Sequence, residues 1–221
     1  MDTTVAPIFE LEDICFSYPE VQVLEDLQFS MNAGEKLGLM GSTGTGKTTL
    51  LHIMIGLLIP TSGTVAAFGK TMNSEKDFVS VRKQAGFLFQ HSDQQLFSPT
   101  VLEDVAFGPL NSGMSSQEAK EISWQTLRSL KLEDLADRVT HRLSGGQKKL
   151  VALATVLSMS PKVLLLDEPT TGLDPVTKNH VMEILHHLDI SYLIVSHHLD
   201  FLQQTSKKII MLEHGRLISN Q

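Results

Sequence analysis

The sequence predicts an α/β fold in which a mostly parallel sheet is combined with an N-terminal antiparallel β subdomain and an inserted α-helical subdomain. Three observations carry this prediction. Residues 8–16 and 23–31 have the pattern of two strands separated by one turn. Between about residues 92 and 160 the pattern is mostly helical. On both sides of that stretch, apolar runs of strand length alternate with helical segments, as in parallel sheets with crossover helices.

The length of 221 residues suits a single domain. We expect residues 1–91 and 161–221 to form its core and residues from about 92 to 160 to form the helical subdomain. Within the core, residues 36–40 have the pattern of a short strand, and residues 48–58 that of a helix.

Local signals divide the helical stretch. Ser115 and Glu118 have the spacing of a capping box, which predicts a helix start. Gly108-Pro109 predicts a turn, and a second helix is expected to begin near Ser144. Downstream of this stretch, residues 163–166 are an uninterrupted apolar run, typical of a strand that is buried on both faces.

Composition excludes several classes of protein. With 25 acidic and 18 basic residues the net charge is -7, which argues against nucleic-acid binding because phosphate contacts need clustered Lys and Arg. Cys15 is the one cysteine, so it forms no intramolecular disulfide, and we expect it in the core or on an edge strand. No apolar run is long enough for a transmembrane helix, and the first ten residues lack a signal core. We expect a cytoplasmic protein that reaches a membrane only through a partner.

A glycine-rich loop follows the predicted strand 36–40 and opens the predicted helix. It matches the phosphate-loop pattern G-x-x-x-x-G-K-[ST] in full. Glycines let backbone N–H groups surround phosphate oxygens, while Lys47 reaches the β- and γ-phosphates and the Thr48 hydroxyl binds Mg²⁺. The flanking strand and helix disfavour a loop that is glycine-rich by chance. The predicted nucleotide-binding residues here are Gly41, Ser42, Thr43, Gly44, Thr45, Gly46, Lys47, Thr48 and Thr49.

Two carboxylates end the buried strand that begins at residue 163. Ligands bind at this end of parallel strands, so Asp167 is expected to hold Mg²⁺. Adjacent residues of an extended chain point in opposite directions, which leaves Glu168 free to polarise the attacking water. A surface acidic pair that caps the next turn is the alternative. The two motifs together predict a P-loop NTPase core, which small-molecule kinases and GTPases share.

The pentapeptide from Leu143 to Gln147 reads LSGGQ. Ser144 can cap a helix, and the glycines allow close backbone approach to an anion. The sequence here closely resembles the ATP-binding-cassette (ABC) family, whose signature this is. The resemblance implies that the signature of one protomer closes on the ATP of another, in a homodimer or in a heterodimer with a paralogue. The implied ATP-contacting residues are Ser144, Gly145, Gly146 and Gln147.

The resemblance extends over essentially the whole chain and implies further roles. Gln90 matches the glutamine that senses Mg²⁺ and attacking water, and His197 matches the switch histidine that hydrogen-bonds the γ-phosphate. Tyr18 matches the aromatic residue that stacks on adenine, and Asp174 the segment that crosses the dimer interface. His198 stands where relatives often have Asp, a departure that could alter contacts around the switch. Ser42 and Thr43 replace a frequent Pro-Asn, at side chains that do not cradle phosphate.

Residues 91–111 resemble the ATPase subunits of energy-coupling factor transporters, especially the cobalt and nickel branch. In such proteins this region helps form a groove for a coupling helix of the integral-membrane subunit. The apolar residues Phe97, Val101, Val105 and Phe107 would line that groove or the subdomain core. The implied cofactors are ATP and Mg²⁺, and the implied location is the cytoplasmic face of the cell membrane. Metal ions and vitamins both remain possible cargoes.

Two other functions fit the sequence less well. A soluble mechanochemical ABC ATPase that acts on DNA or ribosomes usually carries coiled coils, zinc modules or a second cassette, and none is seen in this sequence. A P-loop kinase for a small molecule would lack the LSGGQ signature. The leading prediction is therefore an ATPase that energises a membrane transporter.

Overall fold

The computed structural model describes residues 6–219, so half of the N-terminal segment that was read for a signal core lies outside the described residues. Two sheets organise these residues. The smaller one is antiparallel, with strand order β2-β1-β4-β5. Its strands are β1 (Phe9–Tyr18), β2 (Val21–Met31), β4 (Ser62–Ala67) and β5 (Lys70–Thr71). The predicted antiparallel β subdomain is confirmed. Cys15 is half-buried on β1, between β2 and β4.

The larger sheet has the strand order β10-β9-β3-β8-β7-β6. All neighbours in it pair in parallel except β9 and β10. Its strands are β3 (Lys36–Met40), β6 (Ala85–Leu88), β7 (Val163–Asp167), β8 (Ser191–Val195), β9 (Lys208–Glu213) and β10 (Arg216–Ser219). Every residue of β7 and β8 is buried, and for β7 the apolar run of residues 163–166 predicted this. The carboxyl ends of the parallel strands therefore meet at one edge, where ligands bind in such sheets.

Seven α-helices are present among residues 6–219. They are α1 (Lys47–Met54), α2 (Glu75–Arg82), α3 (Val101–Asn111), α4 (Ser116–Ser129), α5 (Gly145–Leu157), α6 (Pro175–His187) and α7 (Leu199–Thr205). The predicted capping box at Ser115 is confirmed, since its hydroxyl accepts from the Glu118 N–H. Helices α3, α4 and α5 lie between β6 and β7 in the chain, so the helical insertion is confirmed.

The helix after the phosphate loop is shorter than predicted. It ends at Met54 rather than at residue 58, because Gly56 adopts a left-handed conformation with φ 71°. The N–H of Gly56 donates to the Ile53 carbonyl, and that of Leu57 to the His52 carbonyl. This Schellman pattern satisfies the last carbonyls and stops the helix.

The turn predicted at Gly108-Pro109 is wrong, because both residues lie inside α3. Proline removes the N–H that would bond the Val105 carbonyl one turn earlier. The buried Ser158 hydroxyl at the end of α5 donates to that carbonyl instead, at 2.9 Å. A Cβ on Gly108 would stand 2.3 Å from the Met159 Sδ, so the glycine allows α3 to approach this end of α5.

Apolar residues form two cores on opposite faces of the larger sheet. One joins the antiparallel sheet to α1, and the other joins α3, α4 and α5 to α6 and α7. Residues of β3, β7 and β8 contribute to both cores, since their side chains alternate between the two faces of the sheet. In the part of the chain that is described, no helix is both long and apolar enough to cross a bilayer.

Candidate active site

The phosphate loop joins β3 to α1 at the edge where the parallel strands end. Gly46 stands at the N-cap with φ 101° and offers no side-chain cap, so the first helical N–H groups remain available to an anion. A Cβ on Gly46 would lie 2.6 Å from the Val23 Cγ1, so this position requires glycine. The Lys47 ammonium donates to the carbonyls of Gly41 and Ser42 at 2.8 and 2.7 Å. Burial lowers the pKa of Lys47, while the nearby Glu168 and Asp167 oppose that shift.

Thr48 and Asp167 meet across the loop. The Thr48 hydroxyl donates to Asp167 Oδ2 at 2.8 Å. Asp167 Oδ1 is buried, and the residues described offer it no hydrogen-bond partner. Burial raises the pKa of Asp167, and the Thr48 hydrogen bond works against that rise. A hydroxyl beside a carboxylate with one free oxygen is a donor set that fits Mg²⁺, which prefers oxygen ligands.

Glu168 follows Asp167 in a left-handed conformation, with φ 46°. The prediction that Glu168 points away from Asp167 because the chain is extended is therefore wrong in its reason: a tight turn at the end of β7 sets the direction of Glu168. Its carboxylate accepts from the Thr171 hydroxyl at 2.9 Å and lies 2.9 Å from His197 Nδ1. Glu168 is buried, so these contacts hold its carboxylate in a fixed direction. A non-glycine residue with positive φ is uncommon and often marks a functional site.

A cleft of about 490 Å³ opens between the two sheets at this edge. It brings together most of the residues predicted for the site: Tyr18, Thr43, Gly44, Gly46, Lys47, Thr48, Thr49, Gln90, Asp167, Glu168 and His197. Val21 and Val23 also line it and were missed, since strand valines give no chemical signal in sequence. Gly41, Ser42 and Thr45 belong to the loop but do not line the cleft. Tyr18 is half exposed at its rim, with Oη 3.5 Å from Thr49 Oγ1.

The LSGGQ residues do not line this cleft. Ser144 caps α5 by accepting from the Gln147 N–H at 3.2 Å, and the Gln147 side chain accepts from the Ser144 N–H. A Cβ on Gly145 would meet nothing within 4 Å, so the start of α5 is open to an approaching group. Asp174 is also outside the cleft, where it caps α6. The two helix starts are neighbours, because a Cβ on Gly146 would stand 3.0 Å from the Thr177 Oγ1 of α6.

Comparison with known proteins agrees with these features. The ABC transporter family matches residues 24–171. The chain belongs to this family. It is accordingly an ATPase subunit of the ABC transporter type, and its nucleotide is ATP.

Individual relatives cover nearly the whole chain. A protein of Nitratidesulfovibrio vulgaris that is named as an ABC transporter ATP-binding protein is 50% identical over 216 residues, which are 97% of this chain and 79% of that protein. The energy-coupling factor transporter ATP-binding protein EcfA of Methanosphaera stadtmanae is 40% identical over 96% of this chain and 78% of its own length. The solved structure of cbiO1 from Clostridium perfringens, described as part of the ABC transporter complex cbiONQ, is similar with a TM-score of 0.86 and 35% identity, covering 96% of this chain and 87% of that one.

One departure of this ABC ATPase lies beside the switch position. His198 stands at the N-cap of α7, but its side chain makes no capping hydrogen bond, and its backbone N–H donates to the Ser196 hydroxyl at 3.1 Å. Its ring contacts that of His197, with the ring centres 3.9 Å apart and the ring planes tilted by 40°. Partial burial, the neighbouring His197 and Lys178 lower the pKa of His198.

A second depression of this ABC ATPase lies where the helical insertion meets β6 and the end of α2, and we call it the insertion groove. It has a volume of about 220 Å³ and is lined by residues that include Phe97, Asp104, Phe107 and Met159. Val101 and Val105 are fully buried in the core, whereas Phe97 and Phe107 are 64% and 45% exposed. The two valines therefore belong to the subdomain core and the two phenylalanines lie at its surface, a distinction that the sequence left open.

The floor of the insertion groove carries a buried carboxylate. Asp104 Oδ1 accepts from the N–H groups of Phe97 and Ser98, at 3.2 and 2.9 Å. Asp104 Oδ2 is buried and has no hydrogen-bond partner within the described part of the chain. The groove therefore combines an exposed aromatic pair with a buried carboxylate oxygen that lacks a donor.

Proposed function

We propose that the chain is the ATP-hydrolysing subunit of an energy-coupling factor type transporter, which takes up a metal ion or a vitamin. The observation that carries the transport part of the proposal is the insertion groove beside the Gln90 loop. The likeness to EcfA and to cbiO1 supports the branch. The ATPase activity itself follows from the family.

Each cleft residue has a role in this proposal. Lys47 leaves the loop carbonyls and binds the β- and γ-phosphates. Glu168 takes the proton of the attacking water, while His197 bonds the γ-phosphate. Thr48, Asp167 and the Gln90 side chain would hold Mg²⁺. When bound, Mg²⁺ neutralises charge that develops on the phosphate oxygens.

Adenine is recognised at the rim in this proposal. Tyr18 stacks on the base, and Val21 and Val23 supply apolar contacts beside it, since all three line the same side of the cleft. The remaining loop residues contribute backbone N–H groups to the phosphates.

A second ATPase subunit completes the site. Residues 144–147 and Asp174 stand at neighbouring helix starts outside the chain's own cleft, so they are free to reach the ATP of a partner protomer. The partner is another copy or a paralogue. In this scheme residues 1–91 and 161–221 bind the chain's own nucleotide, and residues from about 92 to 160 carry the signature.

The insertion groove receives a helix of an integral-membrane subunit. Phe97 and Phe107 contact each other edge to face, with ring centres 4.6 Å apart, and present a rigid apolar surface. The unpaired oxygen of Asp104 would accept from a donor on that helix, for which a basic side chain is the best match. Such contacts would hold the subunit at the cytoplasmic face of the membrane as a peripheral protein.

The test replaces each groove phenylalanine in turn. Phe97→Asp and Phe107→Asp are purified from the native membrane together with their bound subunits, beside Ile59→Asp. Ile59 is the matched control because it is an exposed apolar residue outside the groove. Integral-membrane subunits are expected to co-purify with the wild type and the control but not with the two groove variants. ATP hydrolysis by the isolated chain should change by less than about twofold, because neither phenylalanine lines the nucleotide cleft.

Two results would contradict the proposal. Recovery of no integral-membrane protein with the wild-type chain would refute the transport function. Full retention of such subunits by both groove variants would refute the assignment of the groove.

A further inference from the structure

The segment of residues 89–98, which we call the Gln90 segment, leaves the sheet after β6 and enters the helical insertion. Gln90 lines the nucleotide cleft, whereas Phe89, Gln95 and Phe97 of the same segment line the insertion groove. The contacts that hold its backbone therefore decide where Gln90 stands relative to nucleotide.

One side chain of α5 holds the start of this segment. The Lys149 ammonium donates to the carbonyls of Gln90 and Phe89, at 2.7 and 3.1 Å. Lys149 is only 4% exposed, so these bonds are made away from bulk water. Hydrogen bonds from a charged donor in such surroundings are stronger than those between neutral groups.

A second set of contacts ties the same segment to the same helix. Gln95 Oε1 accepts from the Phe89 N–H at 3.3 Å. Its amide nitrogen donates to the Ala152 carbonyl and to the Thr155 hydroxyl, both at 2.8 Å. Both polar groups of the Phe89 backbone are thus satisfied through residues that α5 holds, and not by a neighbouring strand.

The same helix begins with the signature residues. Ser144 caps α5, and Lys149 follows on the same rigid helix. A shift of the signature end would therefore move the ammonium that holds the Gln90 carbonyl. The side chain of Gln90 would move with its own backbone.

We propose that Lys149 is a positioning residue that fastens the Gln90 backbone to the signature helix, so that the position of α5 sets the position of the Gln90 side chain at the nucleotide. This inference rests on the proposed role of Gln90 in hydrolysis. It assigns to Lys149 no contact with substrate.

The first test measures ATP hydrolysis by the purified full chain with Lys149→Met, which keeps the length of the stem and removes the donors. The kcat is expected to fall about tenfold to hundredfold, as for a misplaced site group, while KM for ATP stays within about twofold. Lys149→Arg keeps donors for both carbonyls and should recover most of the kcat. Lys120→Met is the matched control, because this lysine is exposed on α4 and lines neither the nucleotide cleft nor the insertion groove, so its loss should change kcat by less than about twofold.

The second test repeats Lys149→Met in a Gln90→Ala background. If Lys149 acts through Gln90, the double variant is expected to hydrolyse ATP no more slowly than Gln90→Ala alone. A wild-type kcat for Lys149→Met would overturn the proposal. An equal fold-loss in both backgrounds would also overturn it, because it would mean an effect independent of Gln90.

Thermal unfolding of each variant separates misfolding from mispositioning. Should Lys149→Met not fold, Lys149→Gln takes its place in both backgrounds, since its shorter amide cannot span both carbonyls, and the same two outcomes decide. The proposed hydrolysis site fails separately, through wild-type turnover in Glu168→Gln. Loss of turnover in Glu168→Gln together with wild-type kcat in the Lys149 variants would refute only the positioning role.

Discussion

Replacing Glu168 with glutamine removes one negative charge from the cleft and leaves its shape unchanged. The amide has the size of the carboxylate, and its oxygen can still accept from the Thr171 hydroxyl. Its nitrogen can face His197 Nδ1, which lies 2.9 Å from the present carboxylate. The variant therefore isolates the ability to take a proton from water.

The size of the effect follows from that isolation. General-base catalysis contributes about 10²–10⁴ in rate, so kcat should fall by that factor, which corresponds to about 2.7–5.4 kcal/mol of barrier. ATP binding should persist, because Lys47 and the loop N–H groups remain. Removal of an anion beside the γ-phosphate should also favour the closed dimer with ATP bound.

Phosphate release gives kcat, a fluorescent ATP analogue gives the dissociation constant, and gel filtration with ATP gives the dimer fraction. Glu183→Gln is the matched control, because this glutamate of α6 is exposed and lies outside the cleft. Turnover at the wild-type rate in Glu168→Gln would sink the proposed role. Loss of ATP binding together with turnover would show instead that Glu168 supports the structure of the loop.

Three further outcomes are expected. Ser158→Ala leaves the Val105 carbonyl buried without a donor and should lower the free energy of unfolding in urea by about 1–3 kcal/mol. Thr48→Val removes a proposed Mg²⁺ ligand and the hydrogen bond that opposes the raised pKa of Asp167. Hydrolysis should therefore need a higher Mg²⁺ concentration, and the difference from the wild type should grow as the pH falls. An unchanged Mg²⁺ titration would contradict this. Hydrogen bonds from the side chains of Lys70 and Ser74 and from the Asn73 N–H lower the pKa of Asp77 to about 2. The contribution of Asp77 to stability is therefore present above its unfolded pKa and is lost as the pH falls toward 2. In Asp77→Asn the melting temperature should fall less steeply with decreasing pH than in the wild type.

Local sequence signals predicted the elements that depend on local physics. The buried strand β7 follows from its apolar run, and the capping box at Ser115 follows from two residues three apart. Helix α2 was missed because only Phe78 and Val81 of it are buried, which leaves too little periodicity to detect. The continuation of α3 through Pro109 was equally hidden, since the donor that replaces the lost bond is a serine on another helix.

In the candidate site, too, contiguous motifs could be predicted from the sequence, whereas contacts between residues remote in sequence could not. The phosphate loop and the carboxylate pair are contiguous motifs, and a pattern finds them. The contacts of Lys149 could not be predicted, because its partners are backbone carbonyls remote in sequence and backbone groups carry no sequence signature. Whether Phe97 faces solvent or core likewise depends on how α3 packs, and its neighbourhood in sequence does not decide it.

Buried polar atoms without partners connect the two candidate sites. Within residues 6–219 only four buried side-chain oxygens lack a hydrogen bond, and two of these belong to carboxylates, Asp104 and Asp167. Such an atom costs about 1–3 kcal/mol or more, so a protein keeps it where another requirement outweighs stability. Asp167 lines the nucleotide cleft and Asp104 lines the insertion groove, and residues of the Gln90 segment line both. A cation bound at Asp167 and a helix donor bound at Asp104 would each offset the free-energy cost of the unpaired oxygen. Both would act on the Gln90 segment, which α5 holds. Occupation of the groove and occupation of the cleft should therefore be coupled through the Gln90 segment, and by reciprocity each should change the affinity of the other by the same factor.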